Sequence, residues 1–123
     1  MVTPLPSAPP MTPGWYICVR REAAGRDIED VALALATEPP VKSLTRAAYL
    51  RTVEAGVQPA TIDLAFALQR ELRTFRVDVL FALVNVANGW LDVQFLPPIC
   101  AVCGFSTRGI DRERCGDCGA AQR

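Results

Sequence analysis

Read for apolar spacing, the chain divides into short amphipathic runs separated by proline and glycine. After "GRD", Ile28, Val31, Ala32 and Leu35 fall on one helical face, and Pro39–Pro40 stops the run. Asp27 is placed to accept from the amide of Asp30, an acid suited to a helix's first turn. A second helix opens near Ser43, turns Leu44, Ala47, Leu50 and Val53 inward, and ends with Gly56 as a left-handed cap. A third begins at Pro59, a good first-turn residue, with Ile62, Ala65, Phe66 and Leu72 in a broad apolar face. Asp78, Asn85, Asn88 and Asp92 keep helical phase, which favours a buried helix over 77–88 capped by Gly89. Asn88-Gly89 also suits a type I′ hairpin, in which Asn85 would face Asp92 and Leu83 would face Gln94.

Two runs carry the strand signal. "WYICVR", Trp15 to Arg20, is aromatic and β-branched, and "WLDVQFL", Trp90 to Leu96, alternates strictly. Residues 1–14 hold five prolines and almost no charge, so they form an extended arm with no core of its own. The expected architecture is therefore α+β: a Pro-rich arm over 1–14, a mainly helical core with a few short strands over 15–98, and a small metal-binding unit over 99–123.

Composition narrows the classes. The chain has 123 residues, half of them apolar, which fits one small domain. The longest low-polarity run is the eight residues Val79 to Val86, well short of the roughly 20 a bilayer span needs. The N-terminus lacks the charged and apolar regions of a secretory signal, so a cytoplasmic setting, or a virion assembled there, is expected. Thirteen basic and thirteen acidic side chains leave no net charge, whereas proteins that live on nucleic acid usually carry a basic excess. Residues 42–76 are mildly basic, with six cations against three acids. The absence of histidine removes the usual agent of proton transfer near neutral pH, and an enzyme is not expected.

The chemistry is concentrated in "CAVCGFSTRGIDRERCGDCG", residues 100–119, which holds four of the five cysteines in two C-x-x-C-G hooks eleven residues apart. Two cysteines three apart place both sulfurs on one ion if the chain turns sharply. The amides after the first cysteine then share the thiolate charge, and the following glycine supplies the φ > 0 that completes the turn. Four thiolates in a tetrahedron suit Zn²⁺, and with all positions filled the ion is structural. With Ile99, Val102, Phe105 and Ile110 as its only sizeable apolar groups, this unit depends on metal for its stability. The stretch resembles a zinc ribbon built from two zinc knuckles. The resemblance covers about a sixth of the chain and implies one Zn²⁺ on Cys100, Cys103, Cys115 and Cys118. With its metal the unit carries about one negative charge, because Arg108, Arg112, Arg114 and Arg123 only partly offset the thiolates and Asp111, Glu113 and Asp117. Phe105, Arg108, Arg112 and Arg114 are the residues through which it could touch a partner or nucleic acid.

"EAGVQPATIDLAF", Glu54 to Phe66, resembles the turn and second helix of a lac-repressor-type helix-turn-helix, which implies Gln58, Thr61 and Asp63 facing DNA. Arg51 and Thr52 stand where that family buries small groups, Leu64 and Leu68 stand where a reader needs polar ones, and Asp63 would sit near phosphates. An ordinary helix–Gly–Pro–helix corner is the favoured reading. Cys18 is expected as a small hydrophobe buried in the first strand, and Arg20–Arg21 as that strand's solvated end. The expected function is a non-catalytic zinc-binding protein-interaction or assembly module, of the kind found in a phage virion or another multi-subunit machine. Its partner would be another protein or a second copy, with no membrane. The alternative is a nucleic-acid-associated regulator using the ribbon or the helical corner.

Overall fold

A computed structural model describes residues 8–35, 43–72 and 74–105. It corrects the expected α+β class. The described residues form five helices, α1 (Pro13–Ala23), α2 (Ile28–Ala34), α3 (Ser43–Glu54), α4 (Ile62–Glu71) and α5 (Val77–Ala87), then a 3-10 turn, Val93–Phe95, and no sheet.

The segment read as the first strand lies inside α1. Pro13 starts the helix with its fixed φ, and Gly14, Ile17 and Arg20 then follow at three-residue spacing on the buried side, joined by Trp15 and Tyr16. Four β-branched and aromatic residues in six say that a run is buried, not which period it follows. The burial of five positions in α1 needed neighbours that local preference does not report. Pro13 and Gly14, expected in the arm, belong to this helix, and Ala8 is buried in the core.

The second expected strand is also absent. Asp92 accepts from the Gln94 amide at 3.1 Å and starts the 3-10 turn. Pro97 and Pro98 follow and remove two ladder donors. Residues 77–87 are helical, so the hairpin does not form. Asp78, Asn85, Asn88 and Asp92 all face solvent, while Val79, Leu80 and Leu83 are fully buried.

α1 and α3 form the centre, with α2 on α3 and α5 on both α1 and α4. The close approach of α1 to α3 requires Gly14: a Cβ there would lie 2.5 Å from the Val53 carbonyl oxygen and 2.7 Å from that of Glu54. The Arg21 guanidinium clamps the same contact with a two-pronged ion pair to Glu54, at 2.8 and 3.0 Å. α2 buries Val31, Ala32 and Leu35 as its spacing implied, though Asp27 caps it with backbone only. α3 buries Ala47, Leu50 and Val53, and Gly56 takes φ +80° after its end. α4 starts later than expected, at Ile62, because Thr61 caps it by accepting from the Leu64 amide at 3.2 Å. It buries Ala65 and Leu68 but leaves Ile62 and Phe66 64% and 45% exposed, so its apolar face is narrower than the sequence implies. Gln69 accepts from the Val77 amide at 3.1 Å and so supplies α5 with a cap that α5 itself lacks. Among the described residues no helix is long and apolar enough to cross a membrane.

Candidate metal centre

The chain leaves the 3-10 turn through Pro97–Pro98, tucks Ile99 against the core, and folds over residues 100–105 into a tight hook. The Cys100 amide donates to the Phe105 carbonyl at 2.9 Å, and the Gly104 amide donates to the Cys100 carbonyl at 2.9 Å. Inside the turn, the Val102 amide points at the Cys100 sulfur, 3.4 Å away. Gly104 has φ +77°, the left-handed conformation its position after the second cysteine implied. An amide aimed at sulfur stabilises thiolate over thiol, which is the form a metal needs. Cys100 is fully buried and Cys103 nearly so.

The hook sits on α1. A Cβ on Gly104 would lie 2.9 Å from Val19 Cγ2, 3.1 Å from Tyr16 Cδ1 and 3.3 Å from Arg20 Cδ, so only glycine fits this seat. Arg20, 1% exposed, donates from Nη1 to the Cys103 carbonyl at 2.8 Å and from Nη2 to the Thr74 hydroxyl. Its guanidinium carbon lies 5.7 Å from the centre of the Phe105 ring, within reach of a cation–π contact. Tyr16, which backs the seat, is fixed by Phe75, 5.1 Å between ring centres, and accepts from the Arg76 amide at 3.0 Å. Burial pushes the Tyr16 hydroxyl above its ordinary pKa.

Two expectations about α1 are corrected here. Arg20 is a buried anchor and Arg21 a half-buried ion-pair partner, not the solvated end of a strand. Cys18 is half-buried on the helix, where its thiol donates to Glu22 at 3.6 Å. Burial first, then the nearby Glu54 and Glu22 carboxylates, push that thiol up to about 12. At neutral pH it is therefore protonated and a poor metal ligand.

Of the eight residues singled out by sequence, the structure brings together Cys100, Cys103 and Phe105. Phe105 is half-buried under Arg20 and is not an open stacking platform. Cys115, Cys118, Arg108, Arg112 and Arg114 lie outside the described residues. Among the described residues no three metal-binding side chains cluster, and the hook offers two sulfurs. The donor set fits a soft divalent cation: two buried thiols at C-x-x-C spacing, one already receiving an amide, with the second hook twelve residues beyond Cys103.

Two features escaped the sequence. Arg20 sits in a run that reads as a strand, and no local pattern marks an arginine as buried. Trp90, Val93 and Phe95 are 76%, 62% and 68% exposed, although alternation suggested that a sheet would cover half of them. Backbone bonds hold the start of this segment: the Trp90 and Leu91 amides both donate to the Asn85 carbonyl, at 2.8 and 3.2 Å.

At the α3–α4 corner Leu64 and Leu68 are buried, while Gln58, Thr61 and Asp63 face solvent beside the exposed Ile62 and Phe66. An open groove of about 540 Å³ there is lined by Leu35, Arg46, Tyr49, Asp63, Phe66 and Arg70 among others. Arg46 is engaged with the Leu35 carbonyl, and Asp63 offsets one of the groove's two cations. No family model, curated protein or solved structure matches the chain.

Proposed function

We propose that the chain is a non-catalytic zinc-binding module for protein interaction or assembly within a larger complex. The observation that carries this reading is the ledge of Trp90, Val93 and Phe95, three large apolar side chains exposed within six residues on the segment that joins α5 to the hook. Val102, 60% exposed on the hook itself, adds to it. Apolar groups of this size left in water are the usual mark of a protein-binding surface, and aromatic ones dominate binding energy. The partner is another subunit or a second copy.

Zinc supports the surface and performs no reaction. Cys100 and Cys103 supply two thiolates and Cys115 and Cys118 the other two, which leaves no open position for water or substrate. Thiols kept for metal suit a reducing compartment, so the setting is cytoplasmic or a particle assembled there. Fresh protein is expected to hold one Zn²⁺ per chain by elemental analysis; well under one equivalent removes the metal from this reading.

The interaction is tested on the chain recovered from its native source. Elution well above the 13.4 kDa of one chain, unchanged by nuclease, supports assembly. The double variant Trp90→Ser/Phe95→Ser is expected to elute as a single chain with its helices intact. Wild-type protein that elutes at single-chain mass would sink the reading. Salt-dependent retention on DNA or RNA, lost on replacing Arg108, Arg112 and Arg114, would replace it with a nucleic-acid role.

A further inference from the structure

We infer that Arg20 is the positioning residue that seats the metal hook on the helical bundle and couples metal binding to the stability of α1. This rests on the metal reading above.

A guanidinium buried to 1% exposure inside a small bundle is costly unless its donors are met and its charge is answered. The contacts of Arg20 say what it is there for. Nη1 holds the carbonyl of Cys103, the guanidinium carbon lies 5.7 Å from the centre of the Phe105 ring, and Nη2 holds Thr74, in the connection between α4 and α5. Two of these three contacts are with the hook. The Cys103 carbonyl belongs to the peptide that joins Cys103 to Gly104. Fixing that peptide, with Gly104 at φ +77°, brings the Gly104 amide to the Cys100 carbonyl and closes the turn that presents both sulfurs. Arg20 thus holds the hook in its metal-binding shape from outside the hook, as outer-shell groups do at metal centres.

Charge acts in the same direction. Four thiolates on Zn²⁺ carry two negative charges, while four thiols carry none. A buried cation bonded to the hook's main chain favours the loaded state over the empty one. Because the same side chain ties the hook to α1 and Thr74, whatever holds the hook also holds the bundle. By linkage, metal binding then raises the stability of α1, and loss of α1 weakens metal binding.

The test uses the full chain and Co²⁺, whose tetrahedral thiolate absorption reports the site directly, in competition with a chelator. Arg20→Met fills the same space without charge or donors. It is expected to bind Co²⁺ roughly 10- to 100-fold more weakly than wild type while keeping its helical signal. Arg20→Lys, which keeps the charge and loses the fork, falls between. Leu68→Ala, a fully buried core truncation on α4, is the control. It lowers the melting temperature and leaves Co²⁺ affinity within about threefold, since it touches no part of the outer shell. Arg20→Met with wild-type affinity would overturn the inference and leave the metal reading standing. Equal weakening in Leu68→Ala would overturn it too, by showing that only global stability matters. Wild-type protein that takes up no Co²⁺ would overturn the metal reading and the inference together. Should Arg20→Met lose its helices, Thr74→Val releases one end of the guanidinium in a filled core. Its Co²⁺ affinity is then expected to fall about tenfold, beyond the margin of the control, and wild-type affinity there would overturn the inference.

Discussion

Helix α1 is approached closely at two places, and each time by way of a glycine, yet the two contacts differ in kind. Near its N-terminus, α1 offers its own Gly14 to the last carbonyls of α3, backbone against backbone. Along its middle, α1 receives Gly104 of the hook against the side chains of Tyr16, Val19 and Arg20. The first contact is rigid on both sides. The second has side chains on one side and, on the other, a short turn closed by its own backbone bonds. Rigid contacts fail when crowded, whereas side-chain contacts can give way by a few tenths of an ångström. The bundle should therefore tolerate damage to the hook better than damage to its own centre.

The largest effect is expected from Gly14→Ala. Alanine gains about 1 kcal/mol of helix propensity, but its Cβ would meet the Val53 oxygen at 2.5 Å, and neither backbone can move without parting α1 from α3. A net loss of about 2 to 3 kcal/mol is expected in denaturant unfolding. A neutral or stabilised variant would show that the two helices do not meet as described. Gly104→Ala should cost less, about 1 to 2 kcal/mol, for the strained φ and the crowded seat. Its helical circular dichroism should be unchanged and its metal affinity lower. If Gly104→Ala lowers stability as much as Gly14→Ala, the two contacts are equivalent and the distinction falls.

The smallest effect concerns Cys18, which shares α1 with both contacts. Its folded pKa of about 12 lies above the ordinary 9.0, so the folded chain holds the proton more tightly than the unfolded one. Below pH 9 both states are protonated and stability does not depend on this group. Between pH 9 and 12 the unfolded chain releases the proton first, and stability falls as pH rises. Cys18 is itself only half-buried, so solvent moderates these contributions and keeps the change small. Denaturant midpoints at pH 8 and pH 10 should therefore fall more for wild type than for Cys18→Ala. Equal falls would place the pH dependence in other groups.

How far the sequence could be read depended on the length of the pattern. α2, α3 and α5 were legible because each carries apolar positions in helical phase with a stop signal, and the polar phase of Asp78, Asn85 and Asn88 decided for a helix over a hairpin. Residues 15–20 and 90–96 were not, because runs of only six or seven residues fit either period. One run became the centre of the bundle and the other an exposed ledge. Both had the look of strands, and among the described residues neither pairs into a sheet.

The hook divides along the same line. Spacing and glycine foretold its local form, from the C-x-x-C turn to the amide on the Cys100 sulfur and the positive φ of Gly104, since each involves groups within six residues. Only the tertiary structure decided where that hook rests and what holds it. Arg20 is eighty-three residues away in sequence, and an arginine declares itself buried only when the carbonyl it serves has folded over it.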